Sequence, residues 1–252
     1  MSYENKSLIK TFNIIQALSE KPRSASVLAK HLGMNASTLH RFLANLEGMG
    51  FTEKMANQEI RLTHRFIQLG MMAQSHFDVE GLAKPYLRKL VDETNESALL
   101  SSFHQWHVTY LDKLESSQTV RIVIEPGDGA PSYTVASGKL FLSELPDVQL
   151  ESFFAKTTFV SKTANTLTTK QALKAEFAHI RDQGYAIDEE EYEVGLKGFA
   201  APIRDSSGEM VAALSVAGVS IRFDEAKTNE TIEIVMRYAA EISKELGWRE
   251  TR

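Results

Sequence analysis

The stretch Ser26 to Leu43, SVLAKHLGMNASTLHRFL, places an apolar-periodic run on each side of Gly33-Met34-Asn35. In Ser26–Leu32, Val27, Leu28 and Leu32 are the inward candidates of a short helix, and Gly33 supplies the left-handed residue that stops one. Asn35 stands where its side chain can accept the Thr38 N–H and start a second helix reaching about Gly48, which buries Leu39, Phe42, Leu43 and Leu46. Two short helices joined by a glycine turn describe a helix-turn-helix. The other side of the second helix carries Ser37, Thr38, His40, Arg41 and Asn45, whose side chains can reach base edges or phosphate oxygens. Ser26 and Asn35, at the two helix starts, complete this set. The competing reading is a plain three-helix module that docks a protein.

Upstream, Ser7–Ser19 repeats Leu8, Ile9, Phe12, Ile15 and Leu18 at helical spacing, and Pro22 ends the run. Downstream, Phe51-Thr52-Glu53-Lys54 and Ile60-Arg61-Leu62-Thr63 read as two strands around Asn57-Gln58, a wing whose Lys54 and Arg61 extend the cationic set. Residues 1–76 hold nine Lys/Arg against five Asp/Glu, a net charge of +4, while residues 77–252 hold 19 against 28, a net charge of −9. A basic module that seeks phosphate, joined to an acidic one that avoids it, fits this division. His64–Phe77 then carries Phe66, Ile67, Leu69, Met71 and Met72, so it is a helix apolar around much of its circumference and needs a partner, as a dimer seam does.

The acidic remainder alternates strand and helix patterns. Val79–Glu93 is a helix with Leu82, Tyr86, Leu90 and Val91 inward and Pro85 kinking it or delaying its start. Ala98–Phe103, Val108–Leu114 and Val120–Ile124 read as strands, and Glu125–Pro131 reads as a turn-rich loop. Thr168 and Gln171 form a capping box for a helix that turns Leu173, Phe177 and Ile180 inward and stops at Gly184. Gly198–Ile203 and Met210–Ala217 are strands joined by the turn Asp205-Ser206-Ser207-Gly208. Asp224–Leu246 closes the pattern as a helix with Ile232, Val235, Met236, Ala239 and Leu246 on one side. The fold class expected is α+β.

With 252 residues and no cysteine, thiol nucleophiles, disulfides, iron–sulfur clusters and cysteine-based zinc sites are excluded. No apolar run approaches the ~18 residues of a membrane span, and the first residues carry no leader or lipidation motif, so a cytoplasmic protein without membrane attachment is expected. Gly138-Lys139 lacks the other glycine and the following hydroxyl of a phosphate loop; neither G-x-S-x-G nor H-E-x-x-H occurs. His104 and His107 alone make a weak metal pair, and the acidic run Asp188–Glu191 reads as a solvated face sooner than a cation site. No catalytic residue, cofactor or metal is expected.

The run Ser26–Leu43 followed by Leu46-Glu47-Gly48-Met49-Gly50-Phe51 resembles the winged helix-turn-helix of the IclR-type bacterial transcriptional regulators. Gly184–Glu191, Gly195–Ile203, Asp205, Gly208 and Ala212–Gly218 resemble the effector-binding half of the same regulators, a GAF-like sheet with a ligand cavity on one face. The likeness extends from Ser7 to Leu246. It implies a winged-helix domain over 1–63, a linker helix over 64–78 and an effector domain over 79–252. It implies double-stranded operator DNA and a small carboxylic acid as partners, a homodimer or dimer of dimers, and repression of a catabolic operon. It places Ala136 and Ser137 in the turn that receives a carboxylate, Asp188 in the pocket, Gly198 where many members have cysteine, and Ser215 and Ala217 where two serines often stand. The missing thiol and hydroxyl at Gly198 and Ala217 point to a larger or less polar ligand than a small oxo-acid. The rival from another class is a small-molecule-binding protein or enzyme with an incidental helical interaction module.

Overall fold

In the computed structural model, which describes residues 5–74 and 79–249, Asn5 accepts the N–H groups of Ser7 (3.1 Å) and Leu8 (3.3 Å) and so starts the first helix. The chain divides into two units, one ending at Phe77 and one beginning at Asp78. The first unit contains α1 (Lys6–Glu20), β1 (Arg23–Ser24), α2 (Ala25–Leu32), α3 (Ala36–Gly48), β2 (Thr52–Lys54), β3 (Glu59–Leu62) and α4 (Arg65–Gln74). Its core joins Ile14, Ala17 and Leu18 of α1 to Leu28 of α2, Leu39, Leu43 and Leu46 of α3, and Ile60 of β3. Gly33 takes φ +61° and returns its N–H to the carbonyls of Ala29 and Lys30, a left-handed helix stop that a side chain would strain.

Leu8, Ile9 and Phe12 of α1 are exposed, because the arc that packs is Ile14-Ala17-Leu18 and those three lie elsewhere around the cylinder. Val27 of α2 is exposed as well. Asn35 caps α3 by backbone conformation only; its side chain makes no capping hydrogen bond. The hairpin gains a third strand, β1, in which Arg23 and Ser24 pair with Ile60 and Glu59 of β3. In α4, Phe66 packs on Phe51 with ring centroids 5.0 Å apart, while Ile67, Leu69 and Met72 face outward. Residues 75–78 of the expected linker and the Met71 side chain lie outside the described residues.

The second unit contains α5 (Val79–Thr94), β4 (Ser97–His104), β5 (His107–Leu114), β6 (Gly129–Pro131), α6 (Ala136–Ser143), α7 (Asp147–Lys156), α8 (Lys170–Gln183), β7 (Ala186–Glu189), β8 (Leu196–Arg204), β9 (Met210–Val219) and α9 (Glu225–Glu245). Its strands form one antiparallel sheet in the order β6-β5-β4-β9-β8-β7. The period-2 alternation of β8 and β9 splits the core into two faces. Phe199, Ala201, Ile203, Leu214 and Val216 pack with Leu87 and Leu90 of α5 and Val235 and Ile242 of α9. Ala200 and Ala213 turn to the other face, against Leu140 of α6, Phe153 of α7 and Phe177 of α8. This is the α+β architecture expected from the sequence.

Val120–Ile124 is not a strand: Arg121 pairs with Glu115 (2.7 Å), and Arg222 donates to the Val120 carbonyl (3.2 Å), holding an irregular loop. The edge strand is β6, from the segment read as a loop; Gly129 fits there because a β-carbon would approach the Val108 carbonyl to 2.9 Å. The α8 cap sits one residue late, with Thr169 accepting the Ala172 N–H (3.2 Å). Pro85 lies inside α5 without ending it, and Met236 sits at the margin of α9's buried face, 36% exposed.

Candidate functional site

Helix α3 buries Leu39, Leu43 and Leu46 and turns Ser37, His40, Arg41 and Asn45 to solvent, with Asn35 exposed and Thr38 half-buried at its start. Among the described residues no carboxylate pairs with Arg41; its guanidinium lies 6.0 Å from the Phe42 ring. Ser26, exposed in the first turn of α2, has its hydroxyl 3.2 Å from that of Ser24. Lys54 on β2 is exposed, whereas Arg61 on β3 is engaged with Glu53 across the hairpin at 2.7 Å. Sequence reading counted Lys6 and Lys10 only in the net charge. They line, with Asn35 and Thr38, a hollow of about 410 Å³ between α1 and the turn before α3.

In the second unit all six candidate effector residues, Ala136, Ser137, Asp188, Gly198, Ser215 and Ala217, line one cavity of about 470 Å³. Register explains the convergence: Gly198 of β8 is paired with Asp188 of β7 on one side and with Ala217 of β9 on the other. A β-carbon at Gly198 would touch the β-carbons of Asp188 (3.6 Å) and Ala136 (3.9 Å), so the start of α6 and the acid flank the bare glycine. The cavity also takes in Tyr110 and Arg121, which sequence reading did not single out. Tyr110 lay in a strand pattern and Arg121 in a segment misread as strand, so neither carried a chemical signal.

Ala136 and Ser137 do not form a turn; they begin α6, a helix buried along its whole length. No side chain caps it, and its first intrahelical bond runs from the Lys139 N–H to the Val135 carbonyl (3.0 Å). The N–H groups of Ala136, Ser137 and Gly138 therefore have no intrahelical acceptor, and they carry the positive end of the helix dipole. The Ser137 hydroxyl, on a residue 3% exposed, has no hydrogen-bond partner among the described residues.

Asp188 is equally enclosed, at 6% exposure. Its Oδ1 accepts the N–H groups of Glu191 (2.7 Å) and Tyr192 (3.4 Å). Burial dominates its chemistry and, aided by the like charge of Glu191, pushes the carboxyl up to about 7 against those N–H bonds and Lys139. Lys139 of α6 is occupied elsewhere, by Glu176 of α8 (2.8 Å) and Glu191, and the Glu191 Oε2 is buried with no hydrogen-bond partner among the described residues. Burial likewise raises Glu191 and the Tyr110 phenol. Ser215 makes a long 3.4 Å bond to the Leu99 carbonyl. His104 and His107 are paired residues at the mouth of the β4–β5 turn, where Gln105 and Trp106 have positive φ. Among the described residues no cluster of metal-ligating side chains is present, and no helix is long and apolar enough to cross a membrane.

Comparison with known proteins agrees with both halves. Residues 7–55 match the IclR helix-turn-helix domain, and residues 71–244 match the bacterial transcriptional regulator IclR C-terminal domain. The HTH-type transcriptional regulator KipR of Bacillus subtilis is 28% identical over 98% of this chain and 100% of its own length. The DNA-binding transcriptional repressor YiaJ of Escherichia coli is 30% identical over 97% of this chain and 89% of its own. The crystal structure of the Thermotoga maritima IclR superposes with a TM-score of 0.65 at 30% identity, covering 97% of this chain and all of that one. These relatives are regulators, not enzymes, and the chain belongs to the IclR family of helix-turn-helix transcriptional regulators.

Proposed function

We propose that the protein represses a catabolic operon until a carboxylic acid, larger than a two- or three-carbon oxo-acid, fills the cavity of its second unit. The observation that carries this is the uncapped start of α6, opening with Ser137 into a half-open cavity of about 470 Å³. Amide N–H groups and a helix dipole favour an anion there. Gly198 and Ala217 leave room where bulkier or more polar side chains would crowd it, which suits a sugar acid or an aromatic acid. On the DNA side, Ser37, Thr38, His40, Arg41 and Asn45 of α3 read the major groove, Ser26 and Asn35 meet the backbone, and Lys54 and Arg61 form the wing contact. The working divisions are the winged helix over 1–63, the linker over 64–78 and the sensor over 79–252. The operator-bound form is a homodimer, alone or paired into a dimer of dimers, on half-sites about 34 Å apart.

A thermal-shift screen of carboxylic acids tests the reading, since a ligand of the folded state raises the melting temperature by mass action. Sugar or aromatic acids should raise it and release the protein from its own upstream DNA. Tight binding of glyoxylate with no response to larger acids would reverse the size argument.

A further inference from the structure

Resting on the reading of the cavity as a carboxylate site, we infer that the effector's carboxylate enters it together with one proton, carried by Asp188. The geometry leaves little alternative for two acids. An anion at the N–H groups of Ala136, Ser137 and Gly138 sits at the start of α6, and Asp188 faces that start across Gly198. Two carboxylates side by side in an enclosed site do not both stay ionised unless a cation stands with them.

Among the described residues, each cation that lines the cavity or acts on Asp188 already has a carboxylate partner of its own. Lys139 of α6 serves Glu176 of α8 and Glu191. Lys197 of β8 is 2.7 Å from Glu189, and Arg121 of the loop after β5 is 2.7 Å from Glu115. The remaining titratable neighbours add no positive charge: Glu191 and Glu193 beyond β7, Tyr110 of β5, Tyr192, and Asp128, whose Oδ2 accepts the Glu125 N–H (2.8 Å). Asp188 Oδ1 is held by two backbone N–H groups, so Oδ2 is the atom left to hold a proton toward the cavity. With that proton in place, the acid becomes an O–H donor to the incoming carboxylate, and the site gains one negative charge and one proton from solvent. The burial that already raises the Asp188 carboxyl to about 7 sets the pH range in which the uptake is visible.

The test is calorimetry of the full chain with D-gluconate and with benzoate at pH 6, 7 and 8, each in two buffers of different ionisation enthalpy. The expected result is uptake approaching one proton per site at pH 8 and falling at pH 6, with Kd rising by up to tenfold per pH unit above 7. D188N should take up no proton and show a Kd independent of pH over this range. Binding without proton uptake in the wild-type protein, or steep pH dependence retained in D188N, overturns the inference and leaves the carboxylate site standing. Phenylglycine bound more tightly than benzoate, without uptake, also overturns it, because an ionised Asp188 would then be pairing with the ammonium. If neither acid binds, the carboxylate reading falls, and this inference falls with it.

Discussion

Asp188 is a residue whose environment works against its charge, and that has a consequence for stability as well as for binding. In the unfolded chain an aspartate ionises near pH 3.9, but in the folded protein burial raises it to about 7. Between those values the folded state holds a proton that the unfolded state has lost, so stability falls as pH rises through the window, and the deficit is complete above pH 7. Asp188→Asn keeps the Oδ1 acceptor for Glu191 and Tyr192 and has no charge to bury. Its melting temperature relative to wild type should therefore climb from pH 5 to pH 8; a flat or falling difference would show that the charge is not penalised. Arg41 is the opposite case, an exposed cation with no carboxylate partner among the described residues. Arg41→Ala should weaken operator binding by about 1–3 kcal/mol with loss of preference at one base, or lower the salt slope by about one if the contact is to phosphate. Mobility shifts at several salt concentrations separate these, and unchanged binding removes Arg41 from the interface.

At the scale of elements, α6 shows how a buried helix is fixed in place. A β-carbon at Gly138 would lie 2.3 Å from the Ser132 carbonyl oxygen and 2.4 Å from the Ser132 Cα, distances that backbone cannot yield without moving. Gly138→Ala should therefore push α6 off the preceding turn and cost about 1–3 kcal/mol in a urea melt, as overpacking does. An unaltered melt would mean that the helix slides freely. The sequence showed Gly138-Lys139 only as a failed phosphate loop and missed the helix, because α6 is buried on every side and has no amphipathic period to read. By contrast α3 was legible to the residue at its end, since leucines at Leu39, Leu43 and Leu46 alternate with polar side chains. Two-residue β1 has no period at all, and Val120–Ile124 has strand composition but spends its backbone groups on an irregular loop. The six cavity residues were reached through family likeness; their meeting depends on strand register, which no local pattern contains.

At the scale of the molecule, the misplacement of three apolar residues on α1 is itself informative. Leu8, Ile9 and Phe12 are 55%, 45% and 60% exposed, and α4 adds outward-facing Ile67 and Leu69. The homodimer proposed above would cover these side chains with a second copy and would set its two recognition helices on one duplex. Phe12 contributes nothing to the buried core of that unit, so Phe12→Asp should leave the monomer's melting free energy within about 0.5 kcal/mol of wild type. The same substitution places a charge among the exposed apolar side chains that the proposed homodimer would cover, and sedimentation should show the dimer population shifting toward monomer at micromolar concentration. Operator affinity should fall with it, steeply for a two-half-site duplex and little for a single half-site, because only the former draws on the coupling between copies. A variant that still sediments as wild type and binds both duplexes as before would place the dimer contact on another surface.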